Sequence, residues 1–116
     1  MADLLEDDRA RGAREQCPVE TAVRALDGKW TMLIVRELLP GPRRFGELAD
    51  ALPHVGPKTL VERLRYLEGQ GVLVRTDHRE RPRRVDYRLS ETGEHLAAVV
   101  RELWSWGALL QDERCR

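Results

Sequence analysis

Residues 46–71 read GELADALPHVGPKTLVERLRYLEGQG, and residues 72–89 continue VLVRTDHRERPRRVDYRL. In residues 46–52, Leu48, Ala49 and Leu52 fall on one side of a short helix. Residues 53–57 hold two prolines and a glycine, which makes them a tight connection. Residues 57–70 then form the most informative segment. Leu60, Leu64 and Leu67 make an apolar stripe with Val61 beside it. Lys58, Thr59, Glu62, Arg63 and Tyr66 form a second stripe that points elsewhere. Gly71 supplies the stop. Residues 72–76 are rich in β-branched side chains, and residues 85–89 alternate apolar and charged. Residues 77–84 between them are too polar to bury. Two antiparallel strands with a basic tip are therefore expected.

Upstream, residues 4–15 have a weak amphipathic pattern at Leu4, Leu5 and Ala13. Pro18 suits the first position of a helix over 18–26, where its missing N–H costs nothing. Val19, Ala22, Val23 and Leu26 share a face there, and Asp27-Gly28 interrupts it. A helix over 29–39 places Trp30, Leu33, Ile34 and Leu38 together, with Trp30 read as core. Pro40-Gly41-Pro42 ends it, and Arg43-Arg44-Phe45 has room for a single strand rung. Downstream, Ser90 caps one long helix from Glu91 to about Gln111.

The order of elements predicts a mainly α chain with a small β-hairpin: a winged helix-turn-helix whose terminal helices form a dimer interface. With 116 residues the chain has length for one domain. Residues 1–16 are read as an N-terminal dimerisation arm, 17–89 as the DNA-binding core and 90–112 as the C-terminal dimerisation helix. No apolar run is long enough to span a bilayer, and the first residues are acidic, unlike a secretory leader. No membrane partner is expected. Two distant cysteines make no disulfide framework, so a cytoplasmic setting is expected.

Net charge is zero, yet the charge is segregated. Residues 57–88 carry nine Lys/Arg against five Asp/Glu, a balance of +4. Residues 1–20 balance to −3 and residues 89–116 to −2. A basic middle between acidic ends suits phosphate binding, which net charge alone conceals. One helix must pack by its apolar face and offer a polar face to the major groove. Lys58, Thr59 and Arg63 fill that role; arginine can pair bidentately with guanine, and threonine can meet a base or a thymine methyl. The tip places Arg79, Arg81, Arg83 and Arg84 near flanking phosphates, and Arg43 and Arg44 are placed to grip backbone. Glu62 is expected to pair with Lys58 or Arg65. Tyr66 has two readings, a phosphate hydrogen bond or support for the hairpin.

The motifs Cys17-Pro18-Val19-Glu20, Gly28-Lys29-Trp30-Thr31, Arg36-Glu37-Leu38-Leu39, Gly41-Pro42-Arg43-Arg44-Phe45 and Pro57-Lys58-Thr59-Leu60 occur in that order. Arg63-Leu64, Leu67-Glu68, Tyr87-Arg88-Leu89-Ser90 and Gly93 follow. Together they resemble the HxlR-type family of winged helix-turn-helix regulators over about residues 17–107. The resemblance implies a cytoplasmic homodimer that binds an operator in double-stranded DNA and represses or activates nearby genes, with terminal helices building the dimer. One departure is Gly56, where such proteins often carry a serine at the recognition-helix cap.

Independently, Leu96, Val99, Leu103, Trp106 and Leu110 recur at spacings of three and four, a heptad-like seam for a partner, to which Leu4 and Leu5 are added. Val100 and Trp104 make a second stripe. Cys17 precedes a predicted helix, a position that favours thiolate chemistry. The resemblance implies sensing of oxidants or electrophiles there; a structural cysteine is the other reading. Cys115 is a candidate resolving thiol. A small-molecule effector near Trp30, Trp104 and Trp106 is an alternative signal, and a protein-interaction module without DNA is a second alternative. His54, His78 and His95 show no nucleophile–base pairing, and glycine-rich phosphate loops, HExxH and CxxC are missing. Neither catalysis, a cofactor nor a metal site is expected.

Overall fold

The computed structural model describes residues 17–79 and 81–114. Leu4, Leu5, the arm over 1–16 and Cys115 lie outside the described residues. Helix α1 (Pro18–Ala25) starts at the proline, as its φ restriction allows, and α2 (Thr31–Leu38) follows the Asp27-Gly28 break. Gly28 has φ +112°, a left-handed conformation open to glycine, so the turn there needs this residue. Strand β1 (Arg43–Arg44) leads into α3 (Phe45–Ala51), so Phe45 opens the helix and leaves a two-residue strand. Helix α4 (Pro57–Gly69) comes next, then β2 (Leu73–Asp77) and β3 (Val85–Leu89).

The expected hairpin pairs Leu73 with Leu89 and Asp77 with Val85. β1 adds to it, Arg43 opposite Tyr87 and Arg44 opposite Asp86, giving an antiparallel sheet in the order β1-β3-β2. The fold is therefore mainly helical with a three-stranded sheet, and the single rung allowed by the sequence proves to be an edge strand.

The last helix departs from the continuous one expected. It divides into α5 (Glu91–Glu94) and α6 (Leu96–Arg114). Ser90 caps α5, its Oγ accepting from the Gly93 N–H at 2.9 Å. His95 then donates to the Thr92 carbonyl at 3.2 Å, a tighter three-residue closure that interrupts the α-helical ladder.

The core is a single cluster. Ile34, Val35 and Leu38 of α2, Leu48 of α3, and Leu60, Leu64 and Leu67 of α4 are all buried against Val72, Leu73 and Leu89 of the sheet region. Leu52 and Val55 close the turn between α3 and α4. The α4 stripe read from the sequence thus faces inward; of the polar stripe Lys58 and Glu62 are exposed, while Thr59, Arg63 and Tyr66 are half-buried. Trp30 departs from the reading: it is only half-buried, because it stands at the N-cap of α2, at the edge of the core. Leu96 and Val100 pack on this core, but no residue of α1 or α6 is itself buried.

Candidate nucleic-acid interface

Three elements carry the cations singled out by the sequence. The first is the α3–turn–α4 unit. Gly56 caps α4 with extended backbone and no side-chain bond, and Pro57 occupies the first turn, so the missing serine hydroxyl leaves the helix intact. Lys58 is exposed and Thr59 half-buried at this N-terminal end, where unpaired backbone N–H groups and the helix dipole favour anions. Among the described residues Glu62 makes neither of the expected ion pairs with Lys58 or Arg65.

Arg63 and Tyr66 turn away from that end. The Arg63 guanidinium fills a notch above Gly28: a Cβ there would stand 2.3 Å from Arg63 Nη1. Nη1 lies 3.5 Å from the Asp27 carbonyl oxygen, which also accepts from Thr31 Oγ1 at 2.8 Å. Tyr66 Oη donates to the Arg24 carbonyl, and Arg63 Cζ lies 5.6 Å from the Tyr66 ring centroid. Tyr66 therefore follows neither reading offered by the sequence; its hydroxyl binds the end of α1. The role of Gly28 was also hidden in the sequence. The Asp27-Gly28 pair signals a break but not the side chain, 35 positions downstream, that needs the space.

The second element is β1. Arg43 is held: its Nε donates to the Glu37 carbonyl at 2.8 Å and Nη2 lies 4.0 Å from the Glu37 carboxylate. Arg44 is exposed at the N-cap of α3, its backbone N–H donating to Glu47 Oε1 at 3.0 Å.

The third is the wing, where the four arginines separate into two kinds. Arg83 donates to the Asp77 carboxylate through Nη2 at 2.5 Å and Nε at 3.1 Å. Asp77 also accepts from the Arg79 backbone N–H at 3.0 Å. The Arg83 hydrogen bond, with the Arg79 N–H, holds the Asp77 carboxyl below its ordinary range, and Asp77 raises Arg83 in turn. Arg84 Nε approaches Asp86 at 3.6 Å, and the same carboxylate meets His78 Nε2 at 2.8 Å. Arg79 and Arg81 are exposed and outside every ion pair of the described residues.

Cys17 lies apart from these cations. It is half-buried at the N-cap of α1, and its carbonyl accepts from the Thr21 N–H at 3.0 Å and from Thr21 Oγ1 at 3.3 Å. Beyond it, α1 and α6 border a groove of about 620 Å³ that includes Val19, Val23, Met32, Val99 and Leu103. The expected seam is open in this chain: Leu96 packs inward, while Val99, Leu103, Trp106 and Leu110 are exposed. Trp104, one turn beyond Val100, is 74% exposed.

The model of the HxlR-like helix-turn-helix family matches residues 25–114. The chain belongs to this family. HxlR-like regulators act in transcription and are not enzymes, and their helix-turn-helix is a DNA-binding element. Among relatives, the HTH-type transcriptional regulator sll1512 of Synechocystis is 42% identical over 100 residues, spanning 85% of this chain and 74% of its own. The redox regulator HypR in its oxidised form superposes with a TM-score of 0.74 at 32% identity, covering 79% of this chain and 95% of that one. Quinone-bound YodB of Bacillus subtilis superposes at 0.68 with 34% identity, covering 78% and 96%. This HxlR-like chain is thus a transcriptional regulator of the winged-helix type, related to redox-sensing regulators. Among its described residues no helix is long and apolar enough to cross a membrane.

Proposed function

We propose that the chain is a cytoplasmic homodimer that binds an inverted-repeat operator in duplex DNA and represses the genes beside it. The observation that carries this reading is a set of exposed cations that form no ion pair among the described residues. Lys58 stands at the start of the recognition helix, Arg44 at the start of α3, and Arg79 and Arg81 at the wing, in a chain of zero net charge. Lys58, Thr59, Arg44, Arg79 and Arg81 make the direct contacts. Arg43, Arg63, Arg83 and Arg84 act from their intramolecular sites and hold those surfaces in place. Dimerisation through Val99, Leu103, Trp106 and Leu110 accounts for an apolar face that a lone protomer leaves in water.

Selection of DNA by the purified protein tests this directly. Recovered half-sites should lie about one helical turn, or a small multiple, apart. Binding should weaken steeply with salt; a flat response would favour a protein-interaction module instead.

Cys17 is the proposed signal receiver. Its place at the α1 N-cap and the similarity to an oxidised redox regulator support that role. A Cys17→Ser protein that still loses DNA on diamide treatment as the wild type does would refute it. The quinone-bound relative favours a second reading, a small-molecule effector at the dimer junction. Quenching of tryptophan fluorescence by a quinone in the Cys17→Ser protein would support it.

A further inference from the structure

Helix α1 buries none of its residues, and two of them, Val19 and Val23, are more than half exposed. Its C-terminal end is nevertheless tied to one particular element. Tyr66 Oη of α4 donates to the Arg24 carbonyl, the last turn of α1. One turn earlier along α4, Arg63 sits in the Gly28 notch beside the Asp27 carbonyl. The Arg24 oxygen lies in the last turn of α1, at the negative end of its dipole, where a hydroxyl donor is favoured, and the Asp27 oxygen lies just beyond the helix in the turn to α2. Thr31 Oγ1 holds the Asp27 oxygen from the α2 side, so the acceptor is fixed in place. The donors, in turn, come from the helix that carries Lys58 and Thr59.

We infer that Arg63 and Tyr66 are positioning residues that clasp the recognition helix to the C-terminal end of α1, so that operator affinity and the placement of α1 are linked. This deepens the proposed function, on which its DNA arm rests. The physical basis is reciprocity: if α1 placement changes DNA affinity, DNA must change α1 placement by the same factor. Contacts at the other end of α1, whether chemistry at Cys17, an occupant of the groove beside Val19 and Val23, or a second copy, then reach α4 through backbone carbonyls. No movement of the buried core is required.

Amide hydrogen exchange read by mass spectrometry on the full chain tests the clasp, with Tyr66→Phe as the perturbation. Phenylalanine keeps the ring under Arg63 and removes only the donor. In the free protein, peptides covering α1 should exchange about fivefold faster, the worth of one net hydrogen bond, while peptides of α2 and the sheet stay unchanged. With the duplex recovered by selection, wild-type α1 should gain protection and Tyr66→Phe should gain little or none. Arg65→Ala, on the exposed side of the same helix, serves as the control and should leave α1 exchange as it is. The inference is overturned if α1 exchanges equally in Tyr66→Phe and wild type, or if the operator protects α1 to the same extent in both. Failure of the wild type to bind any duplex would refute the proposed function, while the free-protein comparison would still decide the clasp.

Discussion

Gly93 offers the sharpest test of how the wing is joined to the last helices. A Cβ at this position would lie 2.0 Å from the Val72 carbonyl oxygen and 3.1 Å from its carbon. Both are backbone atoms, so no side-chain rotation relieves the contact. To reach ordinary van der Waals separation the two segments must part by roughly 1 Å or more. That movement strikes a junction rich in hydrogen bonds. The Ser90 N–H donates to the Val72 oxygen at 2.9 Å, Ser90 Oγ donates to the Gly71 oxygen at 2.6 Å, and the Gly93 N–H donates to Ser90 Oγ at 2.9 Å. Losing two of them and stranding a buried carbonyl costs about 3–5 kcal/mol, so Gly93→Ala should destabilise the fold by that amount. At about 4 °C per kcal/mol, the Tm should fall by about 12–20 °C, read by circular dichroism at fixed protein concentration. Gly46→Ala is the matched control. Gly46 lies inside α3, is exposed, and a Cβ there meets nothing within 4 Å. Alanine is the better helix former, so this variant should gain about 0.5–1 kcal/mol. Shifts of the same sign and size in the two variants would refute the reasoning, because then helix propensity, not the Val72 contact, would govern both.

Other outcomes follow from the partition of the wing. Arg81→Ala should lower the slope of log affinity against log salt by about one, while Arg83→Ala, whose guanidinium is already neutralised by Asp77, should change it less; filter binding over a salt series reads both. Asp77 has a depressed folded-state pKa, so its pairing with Arg83 stabilises the wing above the ordinary carboxylate range and is lost as pH falls through the folded value. An NMR titration should place the Asp77 midpoint below that range in the wild type and return it upward in Arg83→Ala. Leu103→Glu puts a charge into the exposed α6 seam, and sedimentation should show a folded monomer whose operator affinity falls at least tenfold. Leu64→Ala, fully inside the core, should cost about 2–5 kcal/mol in urea denaturation.

By itself the sequence determined whatever depends on neighbours three or four positions apart. The Leu60–Leu64–Leu67 stripe, the Ser90 cap and the strand over residues 85–89 are local patterns, and each is met in the structure at those residues, although burial along the strand does not alternate. The same periodicity separated the inward face of α4 from its polar face and marked the α6 seam as surplus to one core. Tertiary structure alone decided which residues from distant segments meet. It made Arg43-Arg44 an edge strand opposite Tyr87 and Asp86, and it divided the last helix at His95. It placed Arg63 over Gly28 and sorted eight candidate cations into held and open ones. An arginine looks the same in sequence whether its guanidinium faces water or a carboxylate across a hairpin. That difference arises only when the chain brings the Asp77 and Asp86 carboxylates and the Glu37 and Asp27 carbonyls close to the guanidinium groups.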